Sequence, residues 1–503
     1  DVRTRHGDDA FAVYMGNPSV HNYGILTHQG ALFSHLRTKN RFSATSVDQL
    51  PHHLTSLWLY GHKDLIPIPD IDHTDYFLML GANPIASNGS IWTVPDVRQR
   101  IKDLTGRGGK LVVIDPRRTE TAALANEHFG IQPSTDALFL ATLLNVILSE
   151  DLQSLEQVNL DAVGLDEVRA KVVAFTPQRV AATVGISESD IERIAREFAA
   201  ADRAVCYGRM GVSTQSFGTL NHWLIQLLNI VTGNFNREGG AMFTHPAVND
   251  FASTRPGKIG RFKSRVSGKP EFNGELPASA LAEEILTPGE GQIRALFTCA
   301  GNPVLSTPNG RQLDEALASL EFMVSLDPYL NETTRHADVI LPPTSPLEHD
   351  HYDLAFLTLS VRNIARFNDP VLPKPEGSLH DWEIFTKLGE KVAALQGHET
   401  REQYPPAELI DKLLRAGNYS QGSGHEASLT LEKLRANPSG IDLGPLRPSA
   451  TERLLTEGHE VNCAVPEFLA DLDRALALID QQTGLRLIGR RHVRSNNSWM
   501  HNY

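Results

Sequence analysis

Short apolar runs and helix-length amphipathic segments alternate along the whole chain. "DYFLMLG" (Asp75–Gly81) has the length and composition of a buried strand, "VPDVRQRIKDL" that of an amphipathic helix, and "KLVVIDPRR" (Lys110–Arg118) that of a second strand. "TDALFLATLLNVILSE" reads as a helix capped by Thr135 or Asp136. "RAVCYGRMG" reads as a strand with a glycine turn, and "TLNHWLIQLLNIVTG" as a long apolar helix stopped by Gly233. Strand, turn and helix in this order predict an α/β protein with doubly wound parallel sheets.

One phrase recurs within the pattern. "VYMGNP" (Val13–Pro18), "LMLGANP" (Leu78–Pro84) and "FTCAGNP" (Phe297–Pro303) each run from a strand into Gly, Asn and Pro. After the last two the chain continues in parallel: a helix, a strand ending in Asp-Pro at Asp115 or Asp327, a Glu-Thr pair, then "ANEHFGIQP" or "ADVILPP". Two diverged copies of one βαβ unit explain this order, and two domains related by an internal repeat are expected. In open α/β sheets ligands bind at the carboxyl ends of the strands, where all three phrases fall. Glycine lets backbone approach a ligand, proline fixes the turn, and a following helix N-terminus favours phosphate. Asp115 and Asp327 are placed to accept hydrogen bonds from a ribose or a guanine edge, and Arg117 and Arg118 to hold phosphate. Two such half-sites fit two nucleotide tails or one very extended ligand.

Other signals narrow the chemistry. The charge of −13 over 503 residues argues against nucleic acid as a partner, and no apolar run is long enough to span a membrane. Cys206, Cys299 and Cys463 lie far apart, so a zinc ribbon or iron–sulfur cluster within this stretch is not expected and buried free thiols are. "EHDHYD" (Glu348–Asp353) gathers histidines and carboxylates without metal-ligand spacing. "TGRGGK" (Thr105–Lys110) precedes a strand where a phosphate loop precedes a helix, so it reads as a helix stop. Neither a nucleophile elbow nor a G-x-G-x-x-G turn for a nicotinamide cofactor is present at the strand ends. The stretch from Asp250 to Glu290 reads as an extended surface insertion.

The run "DYFLMLGANPIASNGS…GGKLVVIDPRRTETA…IQPSTDALFL" resembles the molybdopterin oxidoreductases of the dimethyl sulfoxide reductase superfamily. "YGRMGVSTQSFGT", "LLNIVTGNFNREGGAMF", "CAGNP", "ETTRHADVILPPTSPLE" and "RRHVRSNNSWMHN" follow in the same order. The resemblance implies two molybdopterin guanine dinucleotides around one molybdenum or tungsten, in a crevice between the two domains. It implies that Gly81, Asn83, Ser87, Asp115, Arg117, Thr135 and Asp136 line one guanosine tail. Gly301, Asn302, Ser306, Asp327 and Glu332 would line the other. Gly16 and Asn17 join them at the first strand end, Gly208, Met210, Gly211 and Gln215 would face the pterins, and His501 and Asn502 would begin a closing domain. Residues 1–38 with 240–480 are expected to form one domain, 39–239 the second, and 481–503 the start of a third.

Such enzymes place a protein ligand to the metal after the first Gly-Asn-Pro phrase. Here that stretch is "NRFSATSVDQLP", with Ser43 as first choice and Thr45, Ser46 and Asp48 as alternatives. The resemblance further implies two-electron chemistry on a small substrate, with oxygen-atom transfer favoured by an oxygen ligand. Formate dehydrogenases of this kind carry cysteine or selenocysteine followed by histidine, and Ser43 is followed by Ala44. A non-catalytic scaffold of the same fold is the alternative. Both ends look cut, so a 4Fe-4S cluster is expected in a preceding region. An electron-transfer subunit or redox protein is the expected partner. A cytoplasmic location is expected unless a twin-arginine signal precedes the chain.

Overall fold

The structure, a computed structural model, describes residues 1–155, 160–248, 254–423, 428–479, 481 and 484–492. Nine strands build its two large sheets: β1 (Phe11–Met15), β2 (Arg41–Ser43), β3 (Tyr76–Leu80), β4 (Lys110–Ile114), β5 (Glu127–Phe129), β6 (Ala204–Gly208), β7 (Ala295–Cys299), β8 (Phe322–Leu326) and β9 (Val339–Leu341). The first sheet runs β9-β8-β7-β1-β2 and the second β5-β4-β3-β6. Every neighbouring pair is parallel. Strand for strand, the second sheet repeats the first four positions of the first, as the sequence repeat predicts. The fold is α/β with two parallel sheets.

The helices that matter here are α1 (Tyr23–Phe33), α2 (Leu50–Tyr60), α3 (Pro84–Ser87), α4 (Val97–Gly106), α5 (Asp136–Ser149), α6 (Gly218–Val231), α7 (Pro303–Ser306), α8 (Gly310–Ala318), α9 (Asp381–Leu395) and α10 (Pro466–Leu476). A parallel sheet is covered on both faces, so its strands are apolar on both. In β3, alternate residues divide accordingly. Leu78 and Leu80 join a core with α5 and α6, while Phe77 and Met79 join another with Trp92 and α4. Helix α5 is buried at every residue from Asp136 to Leu148, which is why it is apolar all round. In the first sheet, Val13, Phe297 and Leu326 pack on Phe33 of α1 and Phe385 of α9. Ala12, Tyr14, Leu296 and Met323 pack on Leu313 and Leu317 of α8.

Three expectations change. The first sheet takes strand β2, past the boundary expected at residue 38. The end of the long second segment crosses over: Leu454, Val461, Phe468 and Leu472 are buried in the core of the second sheet, and Val461–Asn462 pairs with Ala162–Val163. The cause is the apolar stripe of α10, whose Phe468 packs on Trp58 and Trp223 with ring centroids 5.0 and 5.4 Å away. The 250–290 stretch carries more structure than its polarity announces. Ile259–Lys263 pairs antiparallel with Pro270–Phe272, and Leu276, Leu281 and Ile285 are buried against the first sheet. Among the described residues no helix is long and apolar enough to cross a membrane, and no group of three or more His, Cys, Asp or Glu is placed to hold a metal ion, "EHDHYD" included.

Truncating Phe468 to alanine should cost about 3–5 kcal/mol, because a buried aromatic leaves both transfer energy and a cavity. Urea unfolding of Phe468→Ala measures it. A loss under ~1 kcal/mol would mean that α10 is not part of the second core.

Candidate functional site

At the carboxyl ends of β3 and β7 the repeat is reproduced bond by bond. Gly81 and Ala300, the first residues beyond these strands, both take the left-handed conformation, with φ of 53° and 50°. Their amides donate to Ile114 O at 3.0 Å and Leu326 O at 2.9 Å. Two residues on, Asn83 Nδ2 donates to Glu120 Oε2 and Asn302 Nδ2 to Glu332 Oε2, both at 2.7 Å. Asn83 Oδ1 accepts from Thr121 Oγ1 and Asn302 Oδ1 from Thr333 Oγ1, both at 2.8 Å. Each threonine oxygen accepts in turn from the helix behind the proline, from Ile85 N–H at 3.3 Å or Val304 N–H at 3.2 Å. Asn is well suited to this place because one side chain donates and accepts at once. Proline at the first position of α3 and α7 lacks only an amide that would have no partner there.

The two asparagines therefore brace adjoining loops, and their side chains are not the open ligand contacts the sequence led us to expect. Ser87 and Ser306 also turn back, each hydroxyl donating to the asparagine carbonyl, at 3.2 and 2.9 Å. The first Gly-Asn-Pro phrase is not a third copy. It follows β1, which occupies the place of β6 in the repeat, and Gly16 lies against Gly301. In the second sheet Gly81 meets Gly211 in the same way. A methyl group on either would stand 2.8 or 2.7 Å from the other's Cα, so backbone fills this gap and side chains cannot.

Carboxylates line these strand ends in pairs. Asp115 Oδ1 accepts Arg117 N–H, and Asp327 Oδ1 accepts Tyr329 N–H, each at 2.8 Å. Beside Asp115 stands Asp136, the first residue of α5, which accepts from Gln215 Nε2 at 2.8 Å. Beside Asp327 stands Asp381, the first residue of α9, which accepts from Asn22 Nδ2 at 2.8 Å. Burial pushes Asp136 up to about 6, and the charge of Asp115 adds to it. Burial likewise pushes Asp327 up to about 6, with Asp381 adding. Asp115 and Asp381 are raised too, by burial. Each half-site thus holds two neighbouring carboxylates raised by burial. Asp381 escaped the sequence reading. Its signal was an acidic residue opening an amphipathic helix in "HDWEIF", comparable with "TDALFL" at Asp136.

Between the two sheets lies a cavity of about 230 Å³. Asn17, Asp48, Gln49, His53, Ser90 and Arg209 are among the residues that line it. Arg209 follows β6 and is buried; its Nη2 donates to Asp48 Oδ1 at 2.5 Å and to Ser90 Oγ at 2.8 Å. Behind it the rings of His52 and His222 lie with centroids 3.7 Å apart at an interplanar angle of 41°, and His222 Nε2 is 2.8 Å from Ser213 Oγ. Burial lowers His222 to about 3, with Arg209 lowering it further, so the histidines stay neutral beside the guanidinium. A smaller cavity of about 50 Å³ opens beside Thr135.

Ser43 is not at this cavity. It ends β2, with Oγ 2.5 Å from Glu275 Oε2 and 2.8 Å from Thr45 Oγ1, and it caps the following turn. Ser46 Oγ accepts Ala278 N–H at 2.8 Å. Of Ser43, Thr45, Ser46 and Asp48, only Asp48 lines the cavity. The Ser43 hydroxyl, the first choice from the sequence, faces Glu275 and Thr45 here, not the cavity. Gly208, Met210 and Gly211 form the turn that carries Arg209, with Met210 exposed to solvent, and Gln215 holds both Asp136 and Gly211 O. His501 and Asn502 lie outside the described residues.

The molybdopterin oxidoreductase family model matches residues 10–391. The assimilatory nitrate reductase catalytic subunit of Bacillus subtilis is 27% identical over 89% of the chain and 61% of its own length. Formate dehydrogenase H of Escherichia coli is 27% identical over 65% of the chain and 46% of its own length. The chain spans roughly half the length of such curated relatives, from 45% to 61%. Acetylene hydratase from Pelobacter acetylenicus superposes with a TM-score of 0.72 at 18% identity, over 94% of this chain and 66% of that one, which establishes the likeness of fold.

The two asparagine networks share no residue, so their contributions should add. Asn83→Ala and Asn302→Ala should each cost about 1–3 kcal/mol, since each leaves one buried threonine, Thr121 or Thr333, without its partner. The double variant should equal the sum within ~0.5 kcal/mol. Strong non-additivity in urea unfolding would show that the half-sites are coupled.

Proposed function

The chain belongs to the molybdopterin oxidoreductase family, and from that premise we propose that it is the catalytic core of a two-electron oxidoreductase. Two molybdopterin guanine dinucleotides would be held with their guanosine tails at the two strand-end half-sites and a molybdenum or tungsten ion toward the central cavity. The observation that carries this reading is the paired bond network at Asn83 and Asn302, each beside a pair of carboxylates, of which Asp136, Asp327 and Asp381 are buried and Asp115 half-buried. A guanine edge offers neighbouring N–H donors, and a carboxylate, with several lone pairs beyond those already bonded, is their natural acceptor.

The polar groups present fit such a cofactor. Tyr207 Oη, Arg209 Nε and Gln215 Oε1 are buried without a hydrogen-bond partner among the described residues, all within one strand-to-helix segment. A buried polar atom without a partner costs free energy, and a ring system rich in nitrogen and oxygen would restore the missing bonds. The bound metal would supply the two-electron redox change, while the chain supplies binding and orientation. Asp48 takes the place expected of Ser43 as the residue directed at the metal. Its carboxylate is fixed by Arg209, whose own position is held by Ser90. A carboxylate ligand followed by Gln49 departs from the cysteine-or-selenocysteine and histidine pattern, so formate is disfavoured and oxygen-atom transfer on a small polar substrate is favoured.

Acid hydrolysis of the purified full-length protein should release about two GMP per molybdenum or tungsten. Asp48→Ala should lose dye-linked turnover at least ~100-fold and alter the metal's spectrum while keeping its guanine, on the scale of losing a ligand or its orienting partner. Ser43→Ala should leave the metal's spectrum unchanged. A folded protein with neither metal nor guanine would favour the scaffold. A spectrum that responds to Ser43→Ala and not to Asp48→Ala would reverse the ligand assignment.

Guanine retention should also depend on pH. Asp136 and Asp327 accept N–H donors best when ionised, and burial pushes both up to about 6. Nucleotide affinity should therefore be level above pH ~7 and fall as pH drops through 6, by up to ~10-fold per unit for each carboxylate that must ionise. Stability of the empty protein should move the opposite way. A carboxyl raised on folding stabilises the native state below its ordinary value near 4, and this contribution is lost as pH rises through 6. Equilibrium dialysis with GMP and urea unfolding between pH 4 and 8 measure the two trends; parallel trends would contradict the account.

A further inference from the structure

A strongly basic stretch stands out from an acidic chain. Arg255, Lys258, Arg261, Lys263, Arg265 and Lys269 follow one another with no acidic residue between them, in a protein of net charge −13. The segment folds as the antiparallel hairpin of Ile259–Lys263 with Pro270–Phe272, its turn closed by Ser264 N–H donating to Lys269 O at 2.8 Å.

The hairpin sorts its charges. Arg261 pairs with Glu271 at 2.5 Å, Arg265 with Glu284 at 3.3 Å and Lys269 with Glu283 at 3.3 Å. Glu284 is fully buried and also accepts Val266 N–H at 2.8 Å, which pins the turn. Arg255, Lys258 and Lys263 are exposed and make no ion pair among the described residues. Ile259 and Val266 are exposed beside them. The result is a positive rim of Arg255, Lys258 and Lys263 with apolar points beside it.

Its position matters as much as its charge. Pro256 O accepts Lys63 N–H at 2.8 Å, and Thr254 Oγ1 lies 3.1 Å from His62 Nε2. The next residues of that loop, Asp64 to Ile66, line the central cavity. On the other side Ala278 N–H donates to Ser46 Oγ, in the turn that leads to Asp48. The hairpin is therefore braced on both segments that form one wall of the cavity.

We propose that this hairpin is the docking surface for a small acidic electron-carrier protein, an inference that rests on the oxidoreductase reading above. Same-sign charges held together on a rigid element speed and orient the encounter with an oppositely charged partner. Redox encounters also use small interfaces, which a hairpin face provides. Two successive dockings of a one-electron carrier balance one two-electron turnover. Nucleic acid is disfavoured, because Phe262 and Phe272 are turned toward the protein and the rest of the surface is acidic.

The test uses the full chain and the triple charge reversal Arg255→Glu, Lys258→Glu, Lys263→Glu. The probe is a plant-type [2Fe–2S] ferredoxin, with a basic c-type cytochrome and a duplex DNA oligonucleotide as controls. At low salt the ferredoxin should bind wild type at least ~10-fold more tightly than the triple variant, and the difference should shrink by ~0.15 M salt as screening sets in. The conservative triple Arg255→Lys, Lys258→Arg, Lys263→Arg should bind like wild type. Equal binding to wild type and the reversal, no binding to wild type, or tighter binding of cytochrome or DNA would each overturn the proposal. Dye-linked turnover, which needs no docking, separates the two claims. Its absence in wild type would refute the oxidoreductase reading. Its presence alongside equal ferredoxin binding would refute the docking surface alone.

Discussion

A parallel sheet covered on both faces leaves a ligand only the ends of its strands, and at those ends the backbone polar groups must be satisfied without bulk. In this protein one asparagine in each half meets that constraint. Asn83 and Asn302 tie the loop after one strand to the loop after the next, through a glutamate and a threonine in each case. The helix behind the proline is held by the same threonine. With the loops fixed, glycine backbone can close the remaining gap at Gly81 and Gly211, and again at Gly16 and Gly301. Everything that converges on the strand ends depends on that bracing.

The electrostatics follow from the same geometry. Each strand-end Asp-Pro turn sets one carboxylate next to the first residue of a helix, and that residue is a buried aspartate. The helix N-terminus favours negative charge on Asp136 and Asp381, but burial opposes it and the neighbouring carboxylate adds to that at Asp136 and Asp327, and both of these are raised to about 6. At the cavity the balance is reversed. Arg209 is buried with a carboxylate and a hydroxyl, and the histidines behind it are neutral, so its charge is directed at Asp48.

Much of this was legible in the amino-acid order because the governing rules are local. Gly81, Asn83, Pro84 and Asp115 announce a strand end, a brace and a turn, and the repeat at Ala300 to Asp327 shows that the pattern has a purpose. What escaped depends on contacts between distant segments. Asp381 belongs to the same half-site as Asp327, yet a long excursion separates its helix from β9, so the repeat no longer points to it. Ser43 looked available because its partner Glu275 lies on another segment. The crossing of α10 into the second core is set by Trp58 and Trp223, which no local period reveals. The first Gly-Asn-Pro phrase shares its letters with the other two but not its place in the sheet order.

The central claim is that the chain carries two equivalent guanosine sites, one per sheet. Calorimetric titration of the cofactor-free full-length protein with GMP tests it most directly. Two sites of similar affinity are predicted, with Asp136→Asn removing one, Asp381→Asn removing the other, and the double variant binding none. A single site, or one variant that abolishes all binding in a protein that remains folded, would contradict the account.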